Sequence, residues 1–417
     1  MSVEVVCPVP VDEVEAWVRA FAGPLLVDPT TENYTRLVER RRRSWLPDRA
    51  WGARDDGRWV ATLATDPQRL SVPAPDGTTT DLSADALTMV TVAGTHHRRG
   101  LLTAMLTAAL DAAKDRGDHA AVLLAAEWPI YGRFGYAPAV FAADYTYFTR
   151  LRGSGLSPVE GGVVRGVDPG DLADIGPAVF ATARRRRAGQ VDRDAEWWGE
   201  RLGVGGYRPP AGGRGNWIVH EGPSGPDGIA CWRVSRGFDM TGTMAAAEVV
   251  EFVAASDAAY RGLWAHLGGL DVIGEIGWRQ AAVDEPLRWL LPDGRALRQT
   301  YAGDHTWLRL LDVPGALAAR GYAAPGRLVL EVVDPAPGGY AAGRYRLDAD
   351  GPAECTVTRD AADLRLHQRA LAAAYLGGHS LRALALGGGV EEVTPGALAR
   401  FDAMLATPLA PWNQTPF

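Results

Sequence analysis

The chain has 417 residues, 47% of them apolar and 22% charged, with a net charge of −7. One hydrophobic core does not grow to that size, so two or three domains are expected. The acidic balance argues against nucleic acid as a partner. Cys7, Cys231 and Cys355 are odd in number and far apart, and give neither a disulfide framework nor a metal-ligand spacing. No apolar run reaches membrane-spanning length and Met1-Ser2-Val3-Glu4 lacks a signal-peptide layout, so no membrane partner is expected and cytoplasm is the default.

Val11–Phe21 is amphipathic, with Val14, Trp17, Val18 and Phe21 on one side, and Gly23-Pro24 breaks it. A second helical stretch, Glu32–Ser44, ends in Arg40–Arg43. That run reads first as a solvated helix end, where cations suit the dipole, and second as an anion contact. Trp51–Asp55 and Trp59–Thr65 flank Asp56-Gly57 as a hairpin, and Gln68–Val72 and the Asp76-Gly77 turn continue an antiparallel meander. Ala86–Val92 reads as a strand. After it come a turn at Ala93-Gly94-Thr95, a basic bend at His97-Arg98-Arg99-Gly100, and a helix opening straight from the bend. Leu102, Met105, Leu106, Ala109 and Ala113 give that helix a buried face, and Gly117 ends it. This geometry turns backbone N–H groups and the positive helix end toward one spot, which suits a diphosphate; Gly100 lets the backbone approach it closely.

Ala120–Ala126 reads as the next buried strand, and Glu127-Trp128-Pro129-Ile130-Tyr131-Gly132-Arg133-Phe134-Gly135-Tyr136 follows. The bend followed by Tyr-Gly-Arg-Phe-Gly-Tyr resembles the GNAT acetyltransferases, and more narrowly their Eis-like (enhanced intracellular survival) branch. Phe141–Phe148, a further strand, closes a first mixed α/β unit over residues 1–151. Residues 152–163 read as a Gly/Pro/Ser-rich linker.

The pattern then partly repeats over residues 152–303. Asp171–Arg187 is helical and ends in a second arginine run, Trp217–Val219, Ile229–Val234 and Met244–Val253 are strands, and Ala258–Leu267 is a helix. The joint Ala254-Ala255-Ser256-Asp257-Ala258-Ala259-Tyr260 has no basic, glycine-bearing bend, and an acid there repels phosphate, so this unit reads as non-catalytic. From Trp307 the texture changes. Trp307–Val313 precedes a short helix, Pro314–Arg320; Leu328–Val333, Gly343–Leu347 and Glu354–Thr358 carry strands, Phe401–Leu405 is a last helix, and the chain ends Trp412-Asn413-Gln414-Thr415-Pro416-Phe417. Residues 304–417 resemble the sterol-carrier-like third domain of Eis proteins. The fold class expected is therefore α/β (α+β): tandem GNAT-like mixed sheets plus a C-terminal sterol-carrier-like α/β domain.

The resemblance implies an acetyl-CoA-dependent N-acetyltransferase acting on a small polycationic amine, an aminoglycoside or a basic peptide, without a metal and as a homo-oligomer, a hexamer. A protein-lysine acetyltransferase and a non-catalytic carrier of an apolar ligand are the alternatives. Coenzyme contacts fall on the strand amides of Val90, Thr91 and Val92 and on His97, Arg98, Arg99, Gly100, Leu101 and Leu102. Tyr131 is the implied general acid and the α-carboxylate of Phe417 the implied base. Tyr136, at a strand start, reads as packing. Asp28, Glu32, Met89 and Trp128 are the candidate substrate contacts. Three departures stand out: His97 occupies the first bend position, where the family usually carries arginine or glutamine; Ala126-Glu127-Trp128-Pro129 is bulkier than expected before Tyr131; and Pro416 brings no charge beside the terminal carboxylate. Nucleophile-elbow, Walker, H-E-x-x-H, C-x-x-C and G-x-G-x-x-G motifs do not occur.

Overall fold

The computed structural model describes residues 3–151, 156, 161–208, 213, 215–240 and 242–417, so most of the expected linker lies outside the described residues. The first sheet has seven strands, in the order β1 (Glu4–Val6), β2 (Ala50–Asp55), β3 (Arg58–Pro73), β4 (Thr79–Val92), β5 (Ala120–Leu124), β14 (Thr306–Leu310) and β6 (Ala137–Pro138). The second runs β13 (Leu297–Asp304), β7 (Phe141–Phe148), β12 (Ile273–Ala282), β11 (Ala245–Ala254), β10 (Gly225–Arg236), β9 (Asn216–Gly222) and β8 (Val163–Gly166). The third runs β17 (Glu354–Val357), β16 (Gly343–Asp348), β15 (Arg327–Val333), β18 (Leu364–His367) and β19 (Val390–Glu392).

Two strands lie outside the unit where their sequence position puts them. β7, expected to close the first unit, pairs with β12 and β13 in the second sheet. β14, expected to open the third, pairs with β5 and β6 in the first. The two sheets thus exchange strands. Gln68–Val72 is likewise no separate strand but the far half of a 16-residue β3.

Burial on both faces explains the apolar runs at the centre of the first sheet. Ala120 and Val122 of β5 and Leu308 and Leu310 of β14 turn into a core shared with the third unit, beside Leu330, Leu371 and Phe401. Ala121, Leu123 and Trp307 turn the other way, against Leu101, Met105, Leu106 and Leu110 of the helix Leu101–Asp115. Two short helices, α1 (Val14–Ala22) and α2 (Glu32–Arg43), cover the remaining face through Trp17, Val18 and Val38; Leu101–Asp115 becomes α3. The first and third units therefore share one core.

The arginine runs are partly drawn into this architecture: Arg42 and Arg43 are exposed, as a solvated helix end would be, but Arg41 is buried. Arg41 is 5% exposed and ion-paired to Asp66 at 3.0 Å. Arg40 reaches Glu200 at 3.5 Å, Arg42 reaches Glu15 at 2.7 Å, and Arg43 lies 4.4 Å over the Tyr207 ring. In the second run Arg184 pairs with Asp81 at 2.7 Å, Arg186 with Asp257, and Arg187 with Asp284 at 2.6 Å. Arg40, Arg43 and Arg184 thereby join the first unit to the second.

Among the described residues no helix is long and apolar enough to cross a membrane. A fragment of residues 1–151 would lack β14 and leave β7 without its sheet. We expect it to show no cooperative thermal transition by circular dichroism, whereas the full chain melts cooperatively.

Candidate active site

β4 and β5 run parallel and are paired only from Ala84↔Ala120 to Leu87↔Leu123. β5 ends at Leu124 while β4 continues to Val92, so Thr88–Val92 part from β5 and a groove opens between the strands. A bulge bends β4 away. The β3 register passes from Thr62↔Thr91 to Ala64↔Thr88, which sets Met89 and Val90 against Leu63 alone. Met89 takes a left-handed φ of 52°, rare for a residue with a side chain. Buried hydroxyls clip the bulge: Thr62 Oγ1 donates to the Met89 carbonyl at 2.9 Å and lies 3.0 Å from Thr91 Oγ1.

The bend lies beyond the end of β4. Arg98 and Gly100 both take positive φ, 62° and 79°. His97 Nε2 lies 3.0 Å from the Val92 carbonyl, so that nitrogen carries the proton and the ring is fastened to the strand end. His96 Nε2 lies 2.9 Å from Asp55 and holds its carboxyl below the usual range. Gly100 is the N-cap of α3 and supplies no side-chain cap, leaving the amides of Leu101 and Leu102 for a ligand or solvent. A Cβ on Gly100 would point into open space, with nothing within 4 Å. Left-handed backbone, open space and uncapped amides fit a diphosphate.

Tyr131 ends the short helix α4 (Trp128–Tyr131) and is 7% exposed. Burial, with a smaller contribution from Glu127, pushes its phenol up to about 12. Its ring meets Tyr136 edge-on at 6.3 Å. Tyr136 is fully buried and its hydroxyl has no hydrogen-bond partner among the described residues. The loop between these tyrosines is held by residues that come after the second sheet. Arg309 of β14, itself fully buried, donates through Nη1 to the Phe134 carbonyl and through Nη2 to Pro337 at 2.9 Å, and pairs with Asp334 at 3.4 Å. Gln368 Nε2 donates to the Gly135 carbonyl at 3.4 Å. A Cβ at Gly132 or Gly135 would stand 3.2 Å from the guanidinium carbon of Arg369 or Arg309, respectively.

The chain terminus docks. Asn413, fully buried, donates to Thr306 Oγ1 at 3.3 Å and to the Thr415 carbonyl at 3.0 Å. Thr306 pairs with Leu124, where the groove opens. Arg193 Nε donates to Thr415 Oγ1 at 2.9 Å. Arg193 is buried under Phe180 and Trp197, 4.0 and 3.8 Å from their ring centres, and pairs with Glu251 at 3.0 Å; Arg201 meets the same carboxylate at 2.9 Å. Burial would raise the Glu251 carboxyl, yet the two arginines hold it below its usual range. Phe417 then lines a cleft of about 270 Å³ with Asp66, Asp192, Asp194 and Glu196. An adjoining cleft of about 530 Å³, lined by Pro416, Trp197, Tyr207, Arg36 and Glu200, lies between α2 and the helix α6 (Ala195–Leu202); the intervening helix Leu172–Arg184 is α5.

The profile of the Acetyltransferase (GNAT) domain matches residues 7–139, a second profile with the same description matches 189–310, and that of the Sterol carrier protein domain matches 313–414. The chain is 39% identical to an uncharacterized N-acetyltransferase of Streptomyces griseus, over 99% of each. It is 35% identical to the N-acetyltransferase Eis of Mycobacterium tuberculosis, over 81% of each. The chain belongs to the Eis family of GNAT N-acetyltransferases. Eis1 from Mycobacterium abscessus has the same overall structure, with a TM-score of 0.83 at 29% identity over 100% of both chains. This Eis-type enzyme is an acyltransferase of mixed α/β architecture, two GNAT units followed by a sterol-carrier-type unit.

Elsewhere on the enzyme, Asp28 is exposed and accepts hydrogen bonds from Thr30 N and Oγ1 at 2.8 and 2.7 Å, which lower its carboxyl. Glu32 is exposed and pairs with Arg36 at 2.6 Å. Neither lines the two clefts at the tail. Met89 is buried under α1 and α2. Trp128 is half exposed and lies edge-on to Trp307 at 5.0 Å. Sequence reasoning missed the acids around Phe417, which come from two distant segments. It also missed Arg309, although a charged residue inside the apolar strand Trp307–Leu311 was a signal. Arg309→Met would leave Asp334, also fully buried, without its cation. Removing one partner of such a pair costs about 3–5 kcal/mol, so we expect urea unfolding to show a loss of that order.

Proposed function

We propose that the enzyme transfers the acetyl group of acetyl-CoA to an amine of a small polycation such as an aminoglycoside or a basic peptide. The observation that supports this best is the cleft that Phe417 shares with Asp66, Asp192, Asp194 and Glu196. Arg41 already pairs with Asp66 and Arg40 also lines the cleft, so Asp192, Asp194 and Glu196 are the carboxylates left to attract an ammonium group. The diphosphate would lie on the first amides of α3, flanked by Arg98 and Arg99, with the His97 imidazole turned back to Val92. The pantetheine arm would enter the groove between β4 and β5. There the amides of Val90–Val92 can polarise the thioester carbonyl.

In this reading the amine nitrogen bonds to the acetyl carbon as the carbon–sulfur bond breaks. The phenol proton of Tyr131 goes to the departing sulfur, and the amine proton goes to the α-carboxylate of Phe417, directly or through a water. An α-carboxyl group has a pKa of about 3.3–3.7, so it is ionised at neutral pH. It is a weak base, and much of its value would lie in steering a water and holding the incoming ammonium. The same reading expects a hexamer.

Tyr131→Phe keeps the ring and removes the proton. Losing a positioned general acid costs about 10²–10⁴ in rate, with coenzyme affinity little changed because the hydroxyl acts in the transition state. Since burial pushes the phenol up to about 12, it stays protonated throughout the neutral and mildly alkaline range, and steady-state kcat should show no alkaline limb from Tyr131 below about pH 10. A mutant within a few-fold of wild type would assign Tyr131 to packing.

Adding residues after Phe417 replaces the carboxylate by a neutral amide. We expect kcat to fall sharply while circular dichroism and coenzyme binding stay unchanged. Equal turnover of tagged and untagged enzyme, with one amine at saturating acetyl-CoA, would place the base elsewhere.

A further inference from the structure

The second sheet opens like the first. β11 and β12 are paired only from Ala245↔Ile273 to Val249↔Trp278, and β11 runs on to Ala254. The helix that follows, α7 (Asp257–Gly268), begins at an N-cap serine, Ser256, whose Oγ accepts from Ala259 N at 3.0 Å. Asp257 stands in its first turn, ion-paired to Arg186. An acid, its arginine and a side-chain cap already satisfy this helix end, and the acid repels a diphosphate.

The gap beside it stays open as a cleft of about 720 Å³, a usual volume for a small-molecule site. Tyr260, Phe252, Trp278 and Trp412 form a chain of rings along it, with successive centroids 5.5, 5.2 and 5.9 Å apart. Among them lies Glu285, 7% exposed. The Tyr260 hydroxyl donates to its Oε1, and the Leu287 amide donates to the same oxygen at 3.2 Å. The other carboxyl oxygen has no partner among the described residues. Burial pushes Glu285 up to about 8, against the weaker pull of the Leu287 amide and Arg187. Three arginines on the rim are ion-paired already, Arg184 to Asp81, Arg186 to Asp257 and Arg187 to Asp284, and Arg187 also lies 6.0 Å from the Trp412 ring centre.

We propose that this cleft binds a small organic ammonium ion with an aromatic body, its ring against Trp278 and Trp412 and its N–H groups on the Glu285 carboxyl. Aromatic faces attract cations, and the attraction strengthens where water is excluded. An arriving ammonium would supply the opposite charge that a buried carboxylate needs. Arg261, on the exposed face of α7, has no carboxylate partner among the described residues and would favour an anion instead. The proposal concerns a site separate from the acetyl-transfer groove and stands whether or not Phe417 is the base.

Calorimetry on the full chain without coenzyme, using phenethylamine, phenethyl alcohol and phenylpropanoate, tests it. The amine should bind about tenfold more tightly than either analogue, an increment in the range of a desolvated cation–π contact. Glu285→Gln keeps an oxygen for Tyr260 and Leu287 but cannot become negative, and should erase that preference with the thermal transition unchanged. A chain extended beyond Phe417 should retain it. Preference for the propanoate, no saturable binding at millimolar concentration, or amine binding that survives Glu285→Gln would overturn the proposal. So would amine binding lost only in the extended chain, which would put the amine in the cleft at Phe417. Should the glutamine variant unfold, the ranking of the three probes on the wild-type chain still decides.

Discussion

Thr306–Leu310 reaches the first sheet only after the chain has built the second, and there it pairs with every residue of β5. The other edge of the same strand holds β6, the short strand that follows the tyrosine loop. Its alternate side chains divide the work. Leu308 and Leu310 join the core of the third unit, Trp307 joins the core under α3, and Arg309 holds the loop that carries Tyr131. Without this strand the sheet would stop at β5 with unpaired amides, the loop would lose its cation, and the tail would lose Thr306 as an anchor. The first sheet, the core it shares with the third unit and the candidate site thus depend on one ladder of hydrogen bonds.

Opening a groove in a sheet requires strain at a chosen point. Met89 sits in a backbone region that costs of order 1–3 kcal/mol for a residue with a side chain. Burial of Met89 under α1 and α2 and the Thr62 clip offset it. The strained turn sends β4 away from β5 and leaves Thr88–Val92 paired on the β3 side alone. The second sheet parts at the corresponding place, but there Asp257 stands at the helix end where the first unit has Gly100. One architecture therefore leaves one helix end uncapped and satisfies the other with a serine cap and an acid paired to Arg186.

Charge is used here mainly to hold position. Arg193, Glu251 and Arg201 are enclosed by Phe180 and the tryptophans of α6, and they fix Thr415 two residues from the terminus. Buried ion pairs contribute little net stability once desolvation is counted. What they provide is a set of directions that an apolar core cannot give. Arg40 at the end of α2 and Arg184 at the end of α5 act likewise, each binding a carboxylate of the neighbouring unit.

Much of this was legible in the sequence because it depends on neighbours along the chain. Period and turn chemistry mark α1, α2, the β2–β3 hairpin, and the strand–bend–helix from β4 to α3. Gly100 and Gly135 mark two of the positions where φ must be positive. The Tyr131–Tyr136 motif and the sterol-carrier-like texture after Trp307 are local too. Which sheet a strand joins is not local. Phe141–Phe148 read correctly as a strand and Trp307–Val313 only as the start of the third unit, but an apolar strand fits any partner with a free edge, and only the packing of the whole chain assigned β7 and β14 to opposite sheets. The gathering of Asp66, Asp192, Asp194 and Glu196 around Phe417 was equally beyond reach, as was the burial of Arg41, Arg193 and Arg309. A charge looks the same in sequence whether it faces water or a partner from a distant segment. The sequence by itself determined the elements, the bend and the tyrosine loop; the tertiary structure decided which edges meet and which charges are buried, because both depend on contacts between residues that chain order keeps apart.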